Sequence, residues 1–87
     1  MYLHLGQDTV VSDSDVLGIF DLDTSTVSKA TRDYLSVAEK EKRVVNVSFE
    51  LPKSFVVCSE KKDEKVKVYI SPISSSTLKK RMKNLSF

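Results

Sequence analysis

A cluster of basic side chains is the part of this sequence best suited to bind a ligand. Four of them fall within residues 79–83, and no acidic residue occurs from position 78 to position 87; the four are Lys79, Lys80, Arg81 and Lys83. Positive groups gathered in this way attract phosphate, which makes nucleic acid a candidate partner. The same composition also serves as a solvated, solubilising surface. Both interpretations are compatible with the cluster taken alone.

The charges of the chain are segregated along its length. Residues 1–28 contain five Asp and no Lys or Arg, a net charge of −5. Residues 29–87 contain 14 basic and seven acidic side chains, a net charge of +7. The overall charge of +2 therefore conceals a basic C-terminal part, which favours an anionic partner.

A further basic candidate is Lys53, which lies in the stretch FELPKSFVV at residues 49–57. Pro52 has no backbone N–H and disfavours helix at Leu51, so Leu-Pro-Lys must form a turn or lie at a sheet edge. Because strand-forming residues precede and follow these three, the sequence predicts a hairpin connection. Such a loop can hold Lys53 as a phosphate contact on a rigid frame, or Lys53 can be an ordinary solvated lysine.

The remaining reactive residue types form no catalytic pattern. His4 is the only histidine, Cys58 is the only cysteine, and glycine occurs only at positions 6 and 18. These counts favour a structural His4 and a buried Cys58, and they exclude an internal disulfide, a thiolate metal cluster and a Gly-rich phosphate loop. The aspartates at positions 13, 15, 21 and 23 are typical of turns and helix caps. We therefore expect a non-enzymatic protein without a metal or cofactor.

Hydrophobic periodicity predicts a small α+β fold, rich in antiparallel sheet, in one domain spanning residues 1–87. Apolar stretches predict strands near residues 2–5, 9–11, 16–20, 45–49, 55–58 and 66–70, and the continuous run 16–20 predicts a strand covered on both faces. Helical spacing predicts one main amphipathic helix over about residues 24–42, with N-cap candidates at 21–25. Leu78, Met82 and Leu85 predict a short C-terminal helix that carries its lysines on the opposite side and Arg81 on a flank.

The sequence gives no indication of secretion or of membrane association. Its first Lys or Arg is Lys29, so no cationic, then apolar, signal pattern opens it, and no apolar run approaches the about 20 residues that a membrane span needs. We expect a cytoplasmic protein. Because 87 residues bury only a modest core, self-association is also expected.

Three ordered segments, MYLHLG at 1–6, VLGIFDLDTSTVSK at 16–29 and NVSFELPKSFVV at 46–57, resemble the Rem family of extracellular-matrix regulators, in particular its B-type members. The resemblance covers at least residues 1–73. It implies a cytoplasmic bacterial α+β protein with a LytTR-like fold. A-type members of the family are DNA-binding activators of biofilm-matrix and osmoprotection genes and form ring-like homo-oligomers. The resemblance thus implies that arrayed copies multiply weak phosphate contacts.

The sequence departs from the A-type pattern at positions implied in DNA contact. Asp15 stands where A-type proteins have an arginine after an early polar turn, and Leu51 and Pro52 stand in place of an arginine pair in the hairpin. Lys53 is the basic residue left near that place. A carboxylate repels phosphate, and neither Leu nor Pro can form the bidentate contact of an arginine.

Two functional hypotheses follow. The first is a DNA-binding transcriptional regulator of extracellular-matrix and biofilm genes, acting as a homo-oligomer, in which Lys53 and the four basic residues at 79–83 make mainly sequence-independent phosphate contacts. The second is an oligomeric assembly or partner-binding protein of the same fold that does not bind DNA directly. The basic C-terminal half favours the first hypothesis, whereas Asp15, Leu51 and Pro52 favour the second.

Overall fold

The local patterns of the sequence produce short strands and two helices in a computed structural model of the chain, which describes residues 1–22, 28–60 and 65–85, with side chains as far as residue 82. In chain order the elements are β1 (Tyr2–Gly6), β2 (Thr9–Ser12), β3 (Val16–Asp21), α1 (Lys29–Lys40), β4 (Val44–Asn46), β5 (Ser54–Glu60), β6 (Lys65–Ser71) and α2 (Ser75–Leu85). A 3-10 turn, Asp13–Asp15, joins β2 to β3. The predicted α+β class, rich in antiparallel sheet, is confirmed.

Strands β1 and β2, both predicted as strands, form a hairpin in which Leu3 lies opposite Val11. Its turn requires a glycine at position 6 for two reasons. Gly6 has a φ of 126°, a conformation that side chains disfavour. A Cβ there would also lie only 3.3 Å from the side chains of Pro72 and Val47, which pack against the turn.

The other four strands form one sheet in the order β3-β5-β6-β4. β5 is antiparallel to both β3 and β6, whereas β4 runs parallel to β6. Phe20 of β3 lies opposite Phe55 of β5, and the β3–β5 register shifts between Val16 and Gly18. Such a bulge increases the local twist and changes the direction of nearby side chains. Because the order is β3-β5-β6-β4, strands β3 and β4 are the two edges of this sheet.

Each face of the four-stranded sheet is covered by different elements. The hairpin and α2 cover one face of the sheet. Between them and the sheet lies the larger of the two hydrophobic clusters, formed by Leu3, Leu5, Val11, Val47, Val56, Cys58 and Leu78. Helix α1 covers the other face, where Ala38 packs against Phe55 and Val68. Successive residues of a strand point to opposite faces, so the uninterrupted apolar run Phe55–Cys58 supplies both clusters.

The main helix is shorter than the predicted range of about 24–42. The described helix begins at Lys29, after Ser28, whose hydroxyl accepts a hydrogen bond from the Thr31 amide at 3.4 Å. It ends at Lys40, because Lys42 adopts a φ of 59° and the Arg43 amide donates to the Ala38 carbonyl at 2.8 Å, which turns the chain into β4. The predicted positions 24–27 lie outside the described residues.

The prediction of a hairpin at FELPKSFVV is wrong. Strand β6 lies between β4 and β5, so residues 47–53 form a loop that passes the end of β6. The Val47 amide donates to the Ile70 carbonyl at 3.1 Å, and the Lys53 amide donates to the Ser71 carbonyl at 2.9 Å. The expected half-buried strand through residue 49 is also wrong, because β4 ends at Asn46.

The prediction that β3 is covered on both faces is wrong as well. Leu17 and Phe20 are 62% and 44% exposed. The run VLGIF suggested a fully buried strand, but β3 is a sheet edge and the covering helix α1 contacts β4 and β6 instead. Apolar surface therefore remains open along β3.

Candidate nucleic-acid interface

The terminal helix α2 is held on the sheet by its apolar side. The Ser74 hydroxyl accepts a hydrogen bond from the Thr77 amide at 3.3 Å and caps the helix start. Leu78 is fully buried, and Met82, one turn later, packs against the same cluster. Because these two side chains face inward, the basic residues between them must face solvent.

Three of the predicted basic residues are exposed along this helix: Lys79, Lys80 and Arg81. Lys79 lies beside β3, where it lines a shallow cleft of about 250 Å³ together with Ile19 and Met82. Arg81 lies on the other flank, where its Nη1 donates to the backbone oxygen of His4 at 3.2 Å. This contact agrees with the predicted flank position of Arg81 and leaves most of its donors available. Lys83 lies on the same helix, and its side chain is outside the described part.

Lys53 lies near the start of α2 rather than at the tip of a hairpin. Its amide donates to Ser71, and its carbonyl accepts from the Leu22 amide at 3.1 Å. The next residue, Ser54, donates its buried hydroxyl to the Ile73 carbonyl at 2.7 Å. The backbone at Lys53 is thus fixed beside the residues that lead into α2, while the residue itself is exposed.

Among the described residues, some lysines have a carboxylate partner, whereas the predicted cations have none. Lys67 pairs with Glu60 at 3.0 Å, and Lys29 pairs with Asp33 at 3.2 Å. Within residues 1–22, 28–60 and 65–82, by contrast, Lys53, Lys79 and Lys80 form no ion pair. An exposed cation without a neutralising carboxylate keeps its full attraction for an incoming phosphate.

The residues at the positions where the resemblance implies A-type arginines stand in different environments. Asp15 ends the 3-10 turn and is half-buried, with its backbone oxygen 3.5 Å from the Ser59 hydroxyl. Leu51 is 80% exposed on the 47–53 loop, and Pro52 is exposed beside it. The loop therefore presents apolar surface directly before Lys53.

His4 and Cys58 have structural surroundings. The Nε2 atom of exposed His4 lies 2.7 Å from the Gln7 backbone oxygen, which braces the β1–β2 turn. Cys58 is 3% exposed, and its burial, with the nearby Asp15 carboxylate, raises the pKa of the thiol to about 11. The thiol therefore stays protonated near neutral pH.

The described residues contain neither a possible metal site nor a helix that could span a membrane. No three His, Cys, Asp or Glu side chains among them come together as a possible metal site. In the same part of the chain, neither helix is long and apolar enough to cross a membrane.

An apolar groove beside β3 is the surface feature that the sequence reasoning missed. It encloses about 360 Å³ between β3, β5 and α1. Its floor is formed by Phe20 and Phe55, whose rings stack with centroids 4.9 Å apart and an interplanar angle of 18°. Gly18 lies beneath the Phe20 ring, since a Cβ there would come within 2.7 Å of it. A glycine inside an apolar strand was the one available sign of this close approach.

Comparison with known proteins agrees with the resemblance in the sequence. Residues 2–82 match the model of the RemA-like family, described as extracellular matrix regulatory protein A-like. The chain is also 44% identical over 81 residues to extracellular matrix regulatory protein B of Bacillus subtilis (strain 168), an alignment that covers 93% of this chain and 89% of that protein. The chain therefore belongs to the RemA-like family of extracellular matrix regulatory proteins and is similar to its B-type member.

Proposed function

We propose that this protein is a cytoplasmic, non-enzymatic regulator of extracellular-matrix and biofilm genes that binds DNA as a homo-oligomer. The name of its relative, extracellular matrix regulatory protein B, supports the regulatory role. The observation that carries DNA binding is the grouping of exposed Lys79, Lys80 and Arg81 on the solvent side of α2, where Lys79 and Lys80 form no ion pair within the described ranges.

The proposed contacts are with the sugar-phosphate backbone of the DNA. Lysine ammonium groups act as point charges, and α2 presents Lys79 and Lys80 on its solvent side with Arg81 on a flank. Lys83, on the same helix, and Lys53, near its start, extend this surface. Phosphate contacts of this kind fix a protein on the duplex without distinguishing one sequence from another.

Homo-oligomerisation is part of the proposal because one subunit offers few contacts. Even if each of the five proposed cations neutralises one phosphate, the logarithm of the affinity of one subunit should fall with the logarithm of salt concentration with a slope no steeper than about −4.5. Non-specific binding of that kind is weak near physiological salt. Several copies held together raise the effective concentration of the remaining contacts once the first has formed.

The test is a fluorescence-anisotropy titration of a labelled mixed-sequence duplex at several salt concentrations. The variant K79Q/K80Q removes two charges from α2, and the variant R32Q/K40Q removes two charges from the exposed side of α1 as a matched control. We expect the α2 variant to weaken binding and to flatten the salt dependence by about two units of slope per bound subunit. The control should behave like the wild type.

Two results would contradict direct DNA binding. One is the absence of duplex binding at low salt by a folded wild-type protein. The other is an equal loss of affinity in both variants, which would indicate that only net charge matters.

A second candidate function is an oligomeric assembly or partner-binding protein without direct DNA contact. The exposed Leu51 beside Lys53, in place of an A-type arginine, favours it. Under this alternative, the wild type binds no duplex in the titration but has the mass of an oligomer.

A further inference from the structure

Two apolar features of the chain, one concave and one protruding, have no partner within the described residues. The first is the β3 groove, formed mainly by Leu17, Gly18, Phe20, Ala30, Tyr34 and Phe55. The second is the 49–51 knob, formed by Phe49 and Leu51, which are 110% and 80% exposed. Large apolar side chains with this much exposure mark interaction sites when they lie together.

The knob is held in place by the backbone on both sides of it. Val47 and Lys53 donate to the carbonyls of Ile70 and Ser71 at 3.1 and 2.9 Å, so both ends of the loop are tied to the end of β6. Within the loop, the Ser48 hydroxyl accepts from the Glu50 amide at 3.1 Å. A loop that is already ordered loses little conformational entropy when its side chains enter a partner.

The groove has the size and chemistry to receive such a knob. Its volume of about 360 Å³ lies in the range of small-molecule sites, roughly 300–1,000 Å³, and gives room for a large aromatic side chain with an aliphatic neighbour. The stacked rings of Phe20 and Phe55 offer an aromatic floor, against which a further ring can stack or pack edge to face. Ala30 is a small residue on the helical wall, which keeps the groove open.

In the described structure the knob does not fill the groove of its own molecule, because Phe49 and Leu51 both remain exposed. The groove lies on the α1 side of the sheet along the edge strand β3, whereas the knob leaves the opposite edge strand β4 and projects past the end of β6. Two grooves facing each other would leave both unfilled, because both are concave. The occupant must be convex and apolar, and among the described large hydrophobic side chains Phe49 and Leu51 are the two most exposed.

We infer that the 49–51 knob of one copy of this chain inserts into the β3 groove of the next copy. This inference rests on the oligomer in the proposed function and names the surface that builds it. Each copy then offers one knob and one groove, so the contact is heterologous and repeats from copy to copy until the assembly closes into a ring or continues as a filament. Lys53 lies two residues after Leu51, so every such contact also fixes one proposed phosphate-binding residue close to the neighbouring subunit.

The test uses light scattering of gel-filtered protein with one variant for each half of the contact. F49S/L51S removes the knob, and L17E/A30E places charge in the groove; all four positions are exposed, so both variants should fold, as circular dichroism will verify. V10S, an exposed valine on β2 and outside both features, is the matched control. Loss of an interface hot spot weakens association by about thirtyfold or more.

A knob-into-groove contact predicts a particular result for mixed variants. The knob variant and the groove variant should each be monomeric, while V10S should keep the wild-type mass. In an equimolar mixture, the intact knob of the groove variant can enter the intact groove of the knob variant. The mixture should therefore contain a species of two chains and nothing larger.

The inference is overturned if the single variants keep the wild-type mass, or if the mixture stays monomeric. If the wild type is an oligomer and these variants leave it intact, the oligomer in the proposed function stands and its interface lies elsewhere. If the wild type is itself monomeric at tens of micromolar, the oligomer and its interface both fail. The duplex titration then decides DNA binding separately.

Discussion

Replacing Ser71 with alanine tests the joint that connects the hairpin, the end of β6 and the start of α2. Ser71 is fully buried, and its hydroxyl donates to the Leu5 carbonyl at 2.6 Å while it accepts from the Ile73 amide at 3.1 Å. Leu5 belongs to the hairpin, and Ile73 precedes the cap of α2. One hydroxyl therefore links the two sheets and the helix that carries the proposed DNA-binding residues.

The expected loss of stability follows from the two groups that S71A leaves without this partner. A buried polar group stripped of its partner costs about 1–3 kcal/mol, and a backbone carbonyl with a second lone pair lies at the lower end of that range. We expect S71A to lower the free energy of unfolding by about 2–3 kcal/mol. For a domain of this size, this corresponds to a fall in Tm of roughly 10–20 °C.

The measurement is urea unfolding followed by circular dichroism, with S59A as the control. The Ser59 hydroxyl lies 3.5 Å from the Asp15 backbone oxygen, a distance at which a hydrogen bond is weak, so S59A should cost less than about 0.5 kcal/mol. A loss for S71A as small as that of the control would refute the reasoning. It would mean that the Leu5 carbonyl and the Ile73 amide find other partners once the hydroxyl is gone.

Two further predictions concern the β3 groove and the buried thiol. A Cβ at Gly18 would lie 2.7 Å from the Phe20 ring, so G18A should displace this half-exposed ring from Phe55 and lower the free energy of unfolding by about 0.5–1.5 kcal/mol. In an F20A background, the same change should cost almost nothing. An equal cost in both backgrounds would contradict the contact. Burial raises the pKa of the Cys58 thiol from its ordinary 9.0 to about 11. Between these pH values the unfolded chain loses a proton that the folded chain keeps, so the free energy of unfolding should fall as pH rises from 9 to 11. C58A should lose that part of the pH dependence in unfolding experiments, and an unchanged slope would show that other groups cause it.

Local patterns in the sequence predicted the strands and helices whose buried side depends only on neighbouring residues. Leu3 and Leu5 alternate within the strand predicted near residues 2–5, and both are buried. Leu78 and Met82, one helical turn apart, identified the inner side of α2, and the serines before them supplied its cap. The period of apolar residues determines which side of an element faces inward, and this information lies within a few residues of chain.

The tertiary structure decided which strands are neighbours and which apolar residues stay exposed. Val47 and Phe49 belong to the same alternating stretch, yet Val47 is buried and Phe49 is fully exposed. Insertion of β6 between β4 and β5 carries the chain past the sheet end at that point. Leu17 is exposed for a related reason, because β3 became an edge strand. Strand order depends on partners far away in the chain, and no local pattern contains it.

The distribution of charge was also determined partly by the sequence and partly by the fold. The sequence by itself determined the basic composition of α2 and the acidic composition of the N-terminal part. The fold then packs α2 against the N-terminal part, since Arg81 donates to the His4 backbone oxygen and Lys79 lines a shallow cleft with Val16. Segregation along the chain is therefore not segregation in space. The physical reason is that packing Leu78 and Met82 against the hairpin and β3 fixes where α2 lies, whatever charges its outer side carries.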